Sequence, residues 1–322
     1  MPYNTDISRT DAAALIPEEV QSEIFKAMPE SSAVMGLARK LPNMSRGQDR
    51  LMVQSALASA YFVSGDTGLK QSTEVNWANK YIYAEELAVI VPIPQNVLDD
   101  AAYPIWSEVR PSVVEAMGAA IDAAVLYGTN IPANWTTSLG AAGLIAVATA
   151  ASQVISLAAY TDEYEAILGR TGAGTAGLFG LIEADGFGVT GSIAPMATKG
   201  LLRNVRDANG MPIFKTSMQD GTRYELDGTP VIFPKNGAIS GTYHLISGQW
   251  DQLVYSIRSD MTWKVLTEAV IQDQAGNIVY NLAQQDMVAL RAVMRLGFAL
   301  PNPINRIQTT AASRCAFSAL TA

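Results

Sequence analysis

The chain has 322 residues, of which 49% are hydrophobic and 16% charged, so it can bury sizeable cores and by length alone predicts about two domains. Its single cysteine, Cys315, and single histidine, His244, exclude an internal disulfide and a cysteine-based metal site and leave little for a Ser/His or Cys/His triad. The formal net charge is −8 and the 22 Lys and Arg residues are scattered, which argues against tight nucleic-acid binding.

The first 47 residues predict an arm that lies on another surface. They lack the basic flank and apolar run of a signal peptide, so we expect a cytosolic protein without a membrane anchor. They hold one short helix candidate, PEEVQSEIFKAM at residues 17–28, and no repeated apolar face. Such a segment cannot form a core alone.

Residues 48–80 predict a long hairpin. Two extended segments flank a turn that contains Gly65, Asp66 and Gly68. Because a hairpin alone is marginal in water, its aromatic residues either contact a partner or pack on their own domain, and both alternatives stay open. The aromatic residues concerned are Tyr61, Phe62 and Trp77.

A continuous helix is predicted from Pro104 to Tyr127, roughly 35 Å long, because apolar residues recur at every fourth position. Gly128 should end the helix, and Pro111 should bend it or mark a restart. The acidic residues Glu115 and Asp122 are expected to be solvated or to contact a neighbour. The apolar stretch at residues 140–160 is interpreted as one amphipathic or buried helix.

Gly172, Gly174 and Gly177 form a G-x-G-x-x-G array, the spacing of a dinucleotide-binding turn. That motif requires a strand running into the turn, whereas residues 161–168 predict a helix that Thr161 can cap. The array is therefore interpreted as a glycine-broken link between two short helices. No cofactor, metal or catalytic group is expected.

The second half of the chain predicts an α/β block followed by extended segments. One helix is expected after Pro195, and strands are expected around residues 223–234, 241–249 and 251–259, with His244 as a structural residue. A second hairpin turns at QDQAGN, which contains Asp273 and Asn277. Residues 287–300 alternate apolar and polar positions and predict a closing strand, after which Cys315 lies in a polar tail.

This order of segments resembles the major capsid proteins of tailed phages, which have the Hong Kong 97-type shell fold, an α+β fold. The stretch ASAYFVSGDTGLKQSTEVNWANKYIYAEELAVIVPIPQNVLDD looks like that family's extended loop, returning strand and entry to its spine helix. LRNVRDANGMPIF, LDGTPVIF, ISGQWDQLVYSIRSDMTWKV and DMVALRAVMRLGFALPNP look like its later segments in the expected order. The resemblance covers about residues 20–308.

The resemblance implies a division of the chain and a role as a shell subunit. The implied parts are an N-terminal arm (1–47), an extended loop (48–80), a peripheral domain with spine helix (81–130), an axial domain (131–264), peripheral closing strands (265–308) and a C-terminal tail (309–322). It further implies pentamers and hexamers forming an icosahedral shell around double-stranded phage DNA, assembled in the host cytoplasm. Expected partners are other copies, a portal protein and, in some members, a decoration protein.

Two departures from the family qualify the resemblance. The arm is too short for the cleaved scaffolding segment of some members, so we expect a separate scaffold protein or none. Some members join subunits through a lysine–asparagine bond. Thr67 stands nearest the place of that lysine, with Lys70 three residues further on, and Asn277 and Asn281 are the nearby asparagines. We therefore do not expect covalent cross-linking. Tyr61, Phe62, Lys70, Trp77, Asp273 and Asn277 are the expected subunit contacts.

Two other functions remain as alternatives at this point. The first is an encapsulin, a bacterial compartment with the same shell fold that encloses protein cargo. The second, from another class, is a nucleotide-binding enzyme that uses the array of Gly172, Gly174 and Gly177.

Overall fold

Two β-sheets and one long helix organise the chain in the computed structural model, which describes residues 31–63, 68–101, 104–169, 176–205, 224–239 and 241–322. The helices are α1 Ala33–Leu37, α2 Gln95–Asp100, α3 Ile105–Tyr127, α4 Ala133–Leu139, α5 Leu144–Ala150, α6 Glu163–Leu168, α7 Leu178–Ala184 and α8 Met196–Asn204. The strands are β1 Arg39–Lys40, β2 Gln48–Gln54, β3 Trp77–Tyr83, β4 Glu85–Pro94, β5 Val154–Ser156, β6 Gly191–Ile193, β7 Glu225–Leu226, β8 Thr229–Ile232, β9 Tyr243–Gly248, β10 Val254–Leu266, β11 Val270–Gln272, β12 Ile278–Asn281, β13 Met287–Ala299 and β14 Phe317–Thr321. The arm helix predicted at residues 17–28 lies outside the described residues.

The first sheet has four strands in the order β1-β10-β13-β4, with β13 antiparallel to both of its neighbours. The predicted alternation of β13 is confirmed, because Leu290, Ala292 and Leu296 are buried in the main core while Arg291 and Arg295 lie on the other face. Strand β10 begins within the strand predicted around residues 251–259 and continues without interruption through residue 264, the expected end of the axial domain.

Helix α3 packs on the apolar face of this sheet and confirms the predicted long helix. Val113, Met117 and Ile121 are buried in the same core as the apolar residues of β13. The helix is continuous through Pro111, which excludes a restart there. It ends at Gly128, whose φ of 73° is left-handed and whose position leaves no room for a Cβ beside the carbonyl of Ala142.

The second sheet has six strands in the order β5-β14-β9-β6-β8-β7. The last strand of the chain, β14, lies inside it, parallel to β5 and antiparallel to β9. The prediction of a polar tail around Cys315 is therefore wrong: Cys315, Phe317 and Leu320 are fully or almost fully buried. The short apolar run at the C-terminus belongs to the core because two strands distant in sequence pair with it.

The stretch from 140 to 160 is not one helix, contrary to the prediction. Helix α5 stops at Ala150, and Ser152 adopts a left-handed φ of 61° before β5 begins. Strand β5 pairs with β14, so a partner more than 150 residues away overrides the local helical pattern.

Candidate functional site

The predicted extended loop is confirmed at its base and continues beyond it. Strands β2 and β3 pair antiparallel from Gln48 opposite Tyr83 to Gln54 opposite Trp77. Further out, the amide of Ser55 donates to the carbonyl of Asn76 at 2.8 Å. The Tyr61 hydroxyl donates to the Gln71 carbonyl at 3.1 Å, so the two arms of the loop stay joined past the regular strands. The turn around Gly65 and Asp66 lies outside the described residues.

The loop exposes large apolar side chains. Phe62 is fully exposed and Trp77 is 69% exposed, while Tyr61 combines its hydrogen bond with a half-exposed ring. Sequence reasoning missed Met52, which is 75% exposed, and Leu69, which is also exposed. The alternation of residues along β2 could have indicated that Met52 is exposed. The polar composition of the turn could have indicated the same for Leu69. Several exposed apolar groups on one loop are typical of a surface that binds a partner.

The base of the loop is fixed to the first sheet. Ile82 is completely buried in a small core with Met44 and Ala299. The indole of Trp135 donates to the Tyr83 carbonyl at 3.1 Å. Gly297 on β13 permits this crossing, because a Cβ there would meet the same carbonyl oxygen at 2.3 Å. The loop therefore projects from a rigid support.

Lys80 ties the loop to the residue that follows β13. Its Nζ donates to the carbonyl of Leu300 at 3.2 Å. Burial lowers the pKa of Lys80, and the nearby Arg314 lowers it further. Lys70, by contrast, is exposed on the outer part of the loop.

The second predicted hairpin is confirmed as β11 and β12, and it brings Asp273 and Asn277 together. Asp273 accepts hydrogen bonds from the amides of Ala275 and Asn277 at 2.9 and 2.8 Å, and from the Asn277 side chain at 3.0 Å. These bonds, the one from the Asn277 side chain first, lower the pKa of the Asp273 carboxyl. The pair thus shapes the turn, while Val270 and Ile278 beside it are exposed apolar side chains that sequence reasoning missed.

Of the two alternatives expected for Asp122, solvation or contact with a neighbour, the structure shows the contact. Asp122 is completely buried, not solvated, and joins three parts of the chain. Its carboxyl accepts hydrogen bonds from the Ser32 hydroxyl at 2.5 Å, from the amides of Ala33 and Val34 at 3.0 and 3.1 Å, and from the Asn236 side chain at 2.8 Å. The N-terminal segment is therefore held on α3 by an acidic side chain that sequence pattern alone places on the helix surface.

The other chemically versatile residues lie in structural positions. His244 on β9 lies 3.8 Å from Glu163 and both are largely buried. Burial raises the pKa of the Cys315 thiol to about 12. Among the residues that the structure describes, no His, Cys, Asp and Glu side chains form a group able to hold a metal ion, and no helix suits a membrane span.

The glycine array lies between two helices, in agreement with the sequence. Gly172 and Gly174 lie outside the described residues, whereas Gly177 precedes α7 directly. The element entering the array is α6, capped by Asp162 instead of the proposed Thr161. A Cβ at Gly177 would meet the amide nitrogen of Gly169 at 2.2 Å, so close packing of the two helices explains this glycine.

Comparison with known proteins agrees with this architecture. The Phage capsid family matches residues 12–308 of the chain. The "Major capsid protein" of Staphylococcus phage 80alpha is 26% identical over 282 residues, which cover 86% of this chain and 79% of that protein. A solved structure from Microbacterium phage Oxtober96 is 32% identical with a TM-score of 0.79, covering 98% of this chain and 99% of its own. A structure from Mycobacterium phage Bobi is 27% identical with the same TM-score and the same coverage.

The fold and the matches define a structural shell protein of a virion. The chain belongs to the phage capsid family and is a structural major capsid protein of a phage. The expected Hong Kong 97-type fold is thereby confirmed.

Proposed function

We propose that this capsid protein assembles as pentamers and hexamers into an icosahedral shell that encloses the double-stranded DNA genome, and that assembly takes place in the host cytoplasm. The observation that supports this most directly is the extended loop: its base is fixed to the first sheet, while Phe62 and Trp77 are exposed to solvent. A fixed support lowers the entropic cost of ordering a contact surface on binding.

The same proposal assigns the two sheets to two domains. The four-stranded sheet with α3 forms the peripheral domain, and the six-stranded sheet forms the axial domain that meets its copies at the centre of each capsomer. Strand β10 then belongs to the peripheral domain, so the expected boundary at residue 264 moves back to the start of β10. Strand β14 belongs to the axial domain, so the expected tail from residue 309 ends in that domain.

The charge of the chain suits a container for DNA. Proteins bind DNA tightly when their cations replace the counterions on its phosphates. Because this chain has a net charge of −8, few counterions would be released, and DNA can be packed against the wall without adhering. Contacts between head-to-tail copies close into rings, and each small contact free energy is multiplied over the many copies of the shell. A portal protein, a separate scaffold protein and a decoration protein complete the proposed partners.

Electron microscopy of the purified protein, with and without its scaffold protein, tests the shell. Closed shells or capsomer rings are expected. A uniform monomer or dimer in the presence of scaffold would contradict the proposal. Nuclease treatment of filled particles distinguishes packaged DNA from the protein cargo that an encapsulin would enclose.

The contact role of the loop is tested by Trp77→Ala. Because the indole is exposed in the subunit, the variant should fold normally but form shells at least about tenfold less efficiently, as expected for a central aromatic contact. Ile307→Ala, at an exposed apolar residue outside the loop, is the matched control and should assemble normally. Normal assembly of Trp77→Ala would refute the role of Trp77.

A further inference from the structure

A cavity of about 430 Å³ lies where the base of the extended loop meets the end of β13 and the segment that leads into β14. We call it the loop-base cavity. Its volume is within the range of ligand-binding cavities. Among the described residues that line it, the charged side chains are two cations, Lys80 and Arg314, and the other side chains are apolar or uncharged. The walls include Val53, Leu139, Ala151 and Leu300.

Lys80 is the group in this cavity whose hydrogen bonding is incomplete. Its ammonium has three N–H donors, and the described residues supply one acceptor, the Leu300 carbonyl at 3.2 Å. Burial lowers the pKa of Lys80 and Arg314 lowers it further, so the ammonium lacks a compensating negative charge. Asp49 lies on the same face of the hairpin, but it is opposite Ile82 and does not line the cavity.

Arg314 adds a positive charge in a fixed position. The side chain is almost completely buried, and its guanidinium donates to the side chain and to the carbonyl of Asn302, both at 3.0 Å. Asp185 is the acidic group that interacts with Arg314. Its carboxylate already accepts hydrogen bonds from the Gln153 side chain and from the amide of Cys315, and it does not line the cavity. Two cations and one carboxylate leave this region with a positive charge in excess.

Backbone donors lie beside the two cations. The amides of Ala311 and Ala312, in the turn before Arg314, donate to no group in the described part of the chain, and both residues line the cavity. Turn amides next to cationic side chains are typical of sites that bind oxyanions. We propose that the loop-base cavity binds a phosphate ion, with the Lys80 ammonium and these two amides as donors and with Arg314 as the fixed charge.

A free phosphate ion suits this cavity better than a phosphate of DNA. The lining offers two cations and otherwise largely apolar walls, so the further phosphates of a DNA strand would be buried without partners. Lys80 belongs to the loop, and Arg314 directly precedes the segment that enters the second sheet as β14. A bound phosphate would therefore join the loop base to the second sheet. The site needs only one subunit, so this inference goes beyond the proposed function.

Equilibrium dialysis of the unassembled subunit with radiolabelled inorganic phosphate, at constant ionic strength in chloride, tests the proposal. We expect saturable binding of one phosphate per subunit, competition by the tetrahedral sulfate ion and a higher urea midpoint in phosphate than in chloride. The absence of saturable binding would overturn the proposal. Displacement of the phosphate by an equal concentration of chloride or by a short DNA duplex would overturn it as well.

Lys80→Met removes the ammonium and keeps an unbranched side chain in the cavity. The affinity for phosphate should fall at least about tenfold, the loss expected for one charge-assisted hydrogen bond. Lys70→Met, at an exposed lysine on the outer part of the same loop, is the matched control and should bind phosphate as the native protein does. Equal affinities of Lys80→Met and the native protein would contradict the proposal.

Ala312→Glu tests the same site with Lys80 in place, and it decides the question if Lys80→Met does not fold. Ala312 is exposed and lines the cavity, so the new carboxylate competes with phosphate for the two cations. Phosphate binding should be lost without a fall in the urea midpoint in chloride, and retained binding would overturn the proposal. Phosphate binding and shell formation are separate readouts, so failure of either inference leaves the other intact.

Discussion

Replacing Asp122 by Ala should strongly destabilise the subunit, because the buried carboxyl serves four donors. The substitution leaves the amides of Ala33 and Val34 without their acceptor, and Val34 is completely buried. A buried donor left unpaired costs about 1–3 kcal/mol. We count the full cost of an unpaired donor for the amide of Val34 and a part of that cost for the other three donors. On this basis we expect the free energy of unfolding to fall by about 3 kcal/mol.

Urea unfolding of the unassembled subunit, followed by tryptophan fluorescence, measures this loss as a lower midpoint at an unchanged slope. Glu115→Ala, seven residues earlier on the same helix, is the control and should change stability by less than about 0.5 kcal/mol. Hydrogen exchange at Ala33 and Val34 should accelerate in Asp122→Ala alone. Equal midpoints for Asp122→Ala and Glu115→Ala would refute the argument that this carboxyl anchors the N-terminal segment.

Two further substitutions follow from the core. Gly297→Ala places a Cβ 2.3 Å from the Tyr83 carbonyl, so the loop base must shift; we expect a loss of about 2 kcal/mol by urea unfolding, whereas Gly241→Ala, with open space around it, should be nearly neutral. For Cys315 the folded pKa rises from 9.0 to about 12, so its stabilisation is complete below pH 9 and is lost as pH rises toward 12. Between pH 8 and pH 10.5 the native protein should therefore lose about 2 kcal/mol more stability than Cys315→Ala. Equal losses would show that the thiol ionises freely in the folded state.

Local pattern was sufficient wherever one face of an element is buried. The fourfold recurrence of apolar residues in α3, the alternation in β13 and the turn chemistry at Asp273 each specify an element without distant partners. The expected contact residues Phe62 and Trp77 are indeed exposed, because an aromatic residue on a two-stranded hairpin has only one covered face. Their role as contacts stays a prediction that Trp77→Ala tests.

Pattern failed where a partner distant in sequence decided the outcome. Residues 154–156 become a strand because β14 pairs with them, and the same pairing draws the C-terminal segment around Cys315 into the core. Asp122 matches a solvated helix position in sequence, but Ser32 and Asn236 reach it from other parts of the chain. None of these partners leaves a periodic signal near the residue that it changes.

The sequence by itself determined the order of the elements, the long helix, the two hairpins and the family resemblance, because apolar periodicity, turn residues and segment order are local properties. Only the tertiary structure decided which strand joins which sheet and which carboxyl is buried. Those outcomes depend on pairing in register across more than a hundred residues, and register is fixed by packing of whole faces.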